Sequence, residues 1–284
     1  MLRLLKSASA VERTHAATEF IDSFPPATEL ILVGASREAV DDLVRGFVPE
    51  SGATFGLHRF SLSQLAARLA MGKLAGAGIA PLSAVGAEAL AARAAFEAIS
   101  RHDLNYFAPI ARFPGFARAA ARTIADLRSG GIAPGRLQEL QQSGPDNAAL
   151  LHRFEEQMVA AALADQSLLF ENALEAVRQG AEFARHPVVF LDVPLHSAIE
   201  RAFVVALTSA AKQALFTCPT GDLRTLENFK AIPGLEQLSS PSANHPSSLA
   251  RLGSYLFTES APPEGKPDEE VVFFSAPGEE EGIS

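Results

Sequence analysis

The chain has one cysteine, no tryptophan and two tyrosines, and only 20% of its residues are charged. The single thiol, Cys218, excludes a disulfide within the chain and any multi-cysteine metal site. Nowhere do about 18 apolar residues follow one another, so no membrane span and no membrane partner are expected. The N-terminus has no apolar run ahead of a small-residue cleavage site, which argues against a signal peptide and for a cytoplasmic location. His102, His152 and His186 are too scattered to suggest a metal site. A formal net charge of −9 argues against general coating of nucleic acid and leaves room only for a local basic stripe. Gly-Lys-Ser/Thr, the signature of a phosphate loop, is missing.

Apolar residues make up 48% of the 284, enough to fold into roughly two domains or one domain carrying an insertion. Residues 29–33, Glu-Leu-Ile-Leu-Val, read as a strand running into Gly34-Ala35-Ser36 and then a helix with Val40, Leu43, Val44 and Phe47 on one face. That is the layout of a phosphate loop without its lysine. A second apolar strand, 188–191, ends in Asp192, where an NTPase holds its Mg²⁺, but Val193-Pro194 follows in place of the glutamate that orients water. A third, 214–218, runs into a turn at Gly221-Asp222, where helicases sense the γ-phosphate. Gly34, Ser36, Asp192 and Asp222 are therefore predicted to be degenerate positions of a nucleotide site. Phosphoryl transfer needs the lysine, the hydroxyl and the metal ligand together, so no catalytic residue is assigned. The structural alternatives are simple. Asp192 caps the next helix, Gly34 makes an ordinary turn, and Asp222 belongs to a turn. Cys218 reads as a buried strand residue.

A short strand is expected at 53–57, with His58 and Arg59 after it and before a helix, placed to meet a phosphate backbone while Phe55 or Phe60 stacks on a base. A solvated turn beside a core Phe fits equally well. From 61 to 185 the pattern is helical and Ala-rich, without a strand. Helices are marked by Leu62/Leu65/Ala66/Leu69, by Phe116/Ala120/Ile124/Leu127 between Pro114 and Gly130-Gly131, by Leu151/Phe154/Met158, and by Leu169/Ala173/Val177. Strand–helix alternation returns from 186 to 257, with 233–248 read as a Pro/Ser/Asn-rich connector and a short helix at Leu249/Leu252/Leu256. Residues 258–284 read as a Pro/Glu-rich linker and a last strand at 271–274, the opening of a truncated second domain. The predicted fold is a parallel α/β core, 1–60 and 186–257, split by a large all-α insert at 61–185.

Several segments together resemble the N-terminal half of AddB-type subunits of bacterial helicase–nucleases, inactivated relatives of UvrD-like helicases. They are PGFARAAARTIADLRSGGIAPGRLQEL (114–140), NAALLHRFEEQMVAAALADQSLLFENAL (147–174), VVFLDVP (188–194) and VVFFSAPGEEEG (271–282). TFGLHRFSLSQLAARLA (54–70) is similar to the UvrD-type strand–turn–helix that touches single-stranded DNA. The resemblance implies a RecA-like sheet and a role in double-strand-break repair, with DNA engaged through His58, Arg59 and Phe60. It also implies assembly with an AddA-type subunit that supplies ATP and Mg²⁺, with no cofactor in this chain. The family's C-terminal nuclease residues and cluster cysteines have no counterpart here. Two other readings stay open: a P-loop-like nucleotide-binding enzyme with unusual motifs, and a helical interaction module that does not bind DNA.

Overall fold

Strands built from unbroken Leu, Val, Ile and Phe have no polar face to offer water and must be covered on both sides. The computed structural model describes residues 1–51, 55–211, 213–239, 248–256, 261–266 and 268–272. The chain opens with β1 (Leu2–Ser7), α1 (Ala10–Asp22), β2 (Leu30–Gly34), α2 (Arg37–Ser51) and β3 (Leu57–Ser61). A mainly helical stretch follows: α3 (Leu62–Gly76), β4 (Ala80–Pro81), α4 (Ala84–Ser100), α5 (Pro114–Ser129), α6 (Pro134–Gln138), α7 (Gly144–Ala160), β5 (Leu163–Ala164) and α8 (Gln166–Arg178). After a 3₁₀ turn at Glu182–Arg185 come β6 (Val188–Leu191), α9 (Ala198–Ala211), β7 (Ala214–Pro219), α10 (Leu223–Phe229), β8 (Leu235–Leu238) and α11 (Ser248–Tyr255).

Six strands form one parallel sheet in the order β3-β2-β6-β7-β1-β8. The period of two along each strand divides its side chains between two cores. Leu30, Leu32, Val189, Leu191 and Leu215 face α1 and α2. Ile31, Val33, Phe190 and Phe216 face the opposite side, against α3, α8 and α9. Residues on α4 to α7 make a core of their own, led by Leu150, Leu151 and Phe154 and by the alanines of α4. Small side chains on α4 let it approach α5 and α7 closely. The helical stretch thus divides: α3 and α8 cover the sheet, and α4 to α7 pack on one another.

Some expectations are corrected. β1 was not foreseen, and β8 occupies part of what reads as a connector, pairing with β1 at the sheet edge. The helical stretch is interrupted by β4 and β5, which pair in parallel over two residues each. β3 starts at Leu57, where the expected strand was to end; residues 53 and 54 lie outside the described residues. Val271 and Val272 form no strand, Val272 being exposed; residues 273–284, with the rest of the expected last strand, lie outside the described residues. No helix among the described residues is long and apolar enough to cross a membrane.

Candidate functional site

In an open parallel sheet, ligands bind beyond the carboxyl ends of the strands, where neighbouring strands send their connections to opposite faces. Here that point lies between β1 and β7. From β1 the chain leaves through α1 on one face toward β2; from β7 it leaves through α10, whose Phe229 packs on the other face, toward β8. The turn that would receive phosphates is therefore Ser7-Ala8-Ser9-Ala10, not Gly34-Ala35-Ser36.

That turn is closed by its own side chains. Ser9 caps α1, its hydroxyl accepting from the Glu12 N–H at 3.3 Å. The buried Ser7 hydroxyl accepts from the Ser9 N–H at 3.0 Å and donates to the Glu12 carboxylate. A carboxylate thus faces this turn from α1. Arg13, one residue further along α1, is buried and reaches across β7. Its Nε donates to both oxygens of Asp192, at 2.9 and 3.0 Å, and its Nη1 donates to the Ser7 carbonyl at 2.7 Å. Thr217 on β7 completes the group. Its hydroxyl donates to Asp192 Oδ1 at 2.7 Å and accepts from the Asp192 N–H at 3.0 Å. Three adjacent strand ends, β1, β7 and β6, are tied together by one guanidinium and one hydroxyl.

Asp192 has φ +50°, the left-handed region that Asp tolerates better than most residues. Its carboxylate accepts from Arg13 through both oxygens and from Thr217 through Oδ1. The alternative of a cap on the following helix does not apply: α9 is capped by Ser197, whose hydroxyl accepts from the Glu200 N–H at 3.3 Å.

The other expected nucleotide positions have local roles. Ser36 accepts from the Ala39 N–H at 3.3 Å at the start of α2. Hydrogen bonding by backbone N–H, and then by the Ser36 hydroxyl, holds the Glu38 carboxyl below its usual range. Gly34 is explained by packing: a Cβ there would sit 2.5 Å from Val40 Cγ2 and 2.7 Å from the Ser36 carbonyl. Asp222 caps α10, accepting from the Thr225 N–H at 3.0 Å, as the turn reading expects.

His58, Arg59 and Phe60 lie within β3 rather than after a strand. Alternation sends His58 and Phe60 to one side, where both meet the Phe183 ring edge-on, at 4.9 and 6.0 Å between centroids. Arg68 covers the same ring at 5.5 Å, and Glu29 bridges toward His186 at 3.0 Å. Arg59 points the other way and pairs with Asp41 on α2 at 3.1 Å. Phe55, ahead of the strand, is exposed. These three β3 side chains are thus engaged by the protein, and only Phe55 of this group offers an open ring.

Cys218 is buried on β7, as expected. Burial first, then the nearby Asp222 and Asp192 carboxylates, push its thiol up to about 12. The folded chain keeps this proton through a range in which the unfolded chain, with an ordinary value of 9.0, releases it. Stability should therefore fall as pH rises from about 9 toward 12. At about pH 8 the native thiol should resist iodoacetamide and react only after denaturation; rapid native labelling would contradict this placement.

At the same end of the sheet a cleft of about 690 Å³ opens between α5 and α8 on one side and α9 and α10 on the other. Its polar groups serve the protein itself. Asp165 caps α8 and pairs with Arg128, Glu200 accepts from the His196 and Ser197 N–H groups, and Arg224 donates to the His196 carbonyl. No group of His, Cys, Asp and Glu side chains among the described residues is arranged to hold a metal ion.

Sequence reasoning found Asp192 but missed Arg13, Ser7 and Thr217. One signal was available: Ser9-x-x-Glu12 is the pattern of a helix start, and it follows alternating Leu2, Leu4. No protein-family model matches the chain, and a search of curated proteins returns no significant match.

Proposed function

We propose that this chain is a RecA-like, helicase-type module with a helical insert that has lost ATP hydrolysis, and that it engages DNA and assembles with a separate ATP-hydrolysing subunit in double-strand-break repair. The observation that carries the proposal is Arg13 clasping Asp192. The acid at the end of β6, one strand removed from β1, is the position from which a nucleotide-bound Mg²⁺ would be held. A protein cation bonds its oxygens, and the first turn of α1, directly after β1, presents Glu12 and no lysine. The strand order supports the helicase-type reading, since β1 is flanked by β7 and β8 and the helical stretch departs between β3 and β6. DNA engagement and the AddA-type partner follow from the segment resemblance. ATP and Mg²⁺ would be supplied by that partner.

The test is an ATPase measurement on the purified full chain, with and without single-stranded DNA. The expected result is no hydrolysis above background. Hydrolysis that disappears in Asp192→Ala would favour the alternative of a nucleotide-using enzyme with unusual motifs.

A further inference from the structure

The connector between α4 and α5 presents rings to solvent from an unusually well-held backbone. Tyr106 is 55% exposed and Phe113 64%. Yet the segment is pinned from inside. The carboxylate of Asp146, only 1% exposed in the first turn of α7, accepts the N–H groups of Asn105 at 3.1 Å and Phe107 at 2.8 Å, the two residues that flank Tyr106. Arg153, also on α7, pairs with Asp103. Phe107 turns inward, meeting Phe116 at 5.6 Å and supporting Tyr106 edge-on at 5.2 Å. Successive turns follow, with the Ile110 and Ala111 N–H groups on the Phe107 carbonyl and the Phe113 N–H on the Ile110 carbonyl. Burying a carboxylate is costly, and here it serves to fix a backbone that holds aromatic faces in water.

The charge of this stretch of sequence runs against that of the molecule. Residues 100–126 carry four arginines and two acids, Asp103 and Asp126, a local excess of positive charge in a chain whose net charge is −9. All four arginines are exposed. Arg118 pairs with Glu88, whereas Arg101, Arg112 and Arg122 make no ion pair among the described residues. An apolar protein-docking face would not need an exposed cation without an ion pair, Arg112, directly before Phe113 in the chain. A single-stranded nucleic acid needs both: π-faces for its bases and cations for its phosphates.

We propose that the α4–α5 connector and the first half of α5, with Tyr106 and Phe113 as stacking platforms and Arg112 and Arg122 as phosphate contacts, form a binding surface for single-stranded nucleic acid. This deepens the DNA-engaging part of the reading above and rests on it, while moving the contact from β3 to the helical stretch. Sequence preference is not expected, because stacking and phosphate contacts are indifferent to base identity.

The experiment is fluorescence anisotropy of a labelled oligo-dT of roughly 20 nucleotides with the full chain, between about 50 and 200 mM salt. The wild-type chain should bind with an affinity that falls as salt rises. Tyr106→Ala with Phe113→Ala should weaken binding about 10- to 100-fold without changing the melting temperature, and Tyr106→Phe should bind like wild type because stacking needs the ring alone. Arg112→Glu with Arg122→Glu, both at exposed positions, should weaken binding and flatten its salt dependence. Full binding by the ring and charge variants would overturn this surface and leave DNA engagement standing. No binding by the wild-type chain would overturn both. Binding insensitive to salt would mark an apolar contact and contradict the phosphate assignment.

Discussion

Arg13→Ala should lower the unfolding free energy by about 2–3 kcal/mol, read from the shift of a urea or guanidinium transition. Removing one member of a buried ion pair leaves the other desolvated and uncompensated, at a cost of about 3–5 kcal/mol when both are fully buried. Arg13 is nearly so, but the Asp192 side chain keeps 27% of its exposure, and water will compensate part of the loss. The Ser7 carbonyl loses its donor in the same variant. Arg13→Met with Asp192→Asn removes both charges, keeps much of the volume and retains a residue that tolerates positive φ. It should be more stable than Arg13→Met alone, so the cycle formed with the Arg13→Met and Asp192→Asn single variants should show a coupling of at least about 1 kcal/mol. Additive single effects would mean that Arg13 and Asp192 do not act as a pair.

A larger loss, about 3–5 kcal/mol, is expected for Phe216→Ala. Phe216 is fully buried on β7 and opposes Phe190 of β6 in the parallel register. The two rings stack at 4.5 Å between centroids and 5° between planes, and Phe229 of α10 closes the other side at 4.9 Å. Three elements meet on this ring, so truncation leaves a cavity that none of them can fill alone. Phe216→Leu retains more of the volume and should cost less than the alanine change. The measurement is again the denaturant transition. A cost below about 1 kcal/mol for Phe216→Ala would show that the face under α9 and α10 is not packed in this way.

The legible parts of the fold were those with uninterrupted apolar runs. Leu30–Gly34 and Val188–Leu191 are covered on both faces, and their sequences show it. β1 was hidden because Arg3 and Lys6 interrupt Leu2, Leu4 and Leu5. β8, Leu-Glu-Gln-Leu at the sheet edge, has two exposed polar residues and draws its stability from pairing with β1. β3 lies at the other edge and carries His58 and Arg59, so its pattern reads as a turn. α5 was legible from Pro114 to Gly130, since proline at the start and glycine at the end mark the termini chemically. The alanine-rich α4 lacks so sharp a pattern.

The site was legible in its acid and illegible in its geometry. Asp192 is visible as a polar residue ending an apolar strand. Arg13 is 179 positions away in sequence, and only the strand order brings it over β7. Gly34 misled because two causes demand glycine after a strand, a phosphate and a close helix. Here Val40 of α2 supplies the second. The β3 residues were misplaced for a related reason: a shift of the strand start turns His58 and Phe60 toward Phe183 and leaves Arg59 to Asp41.

The central claim, that Arg13 and Glu12 occupy the place of an ATP site, is tested most directly by the melting temperature of the full chain with and without Mg·ATP. A ligand present at about 100 times its dissociation constant stabilises the folded state by about 2.7 kcal/mol, a shift that melting resolves. The account predicts no shift for the wild-type chain at millimolar Mg·ATP. A clear rise that requires Mg²⁺ and is lost in Asp192→Ala would contradict it.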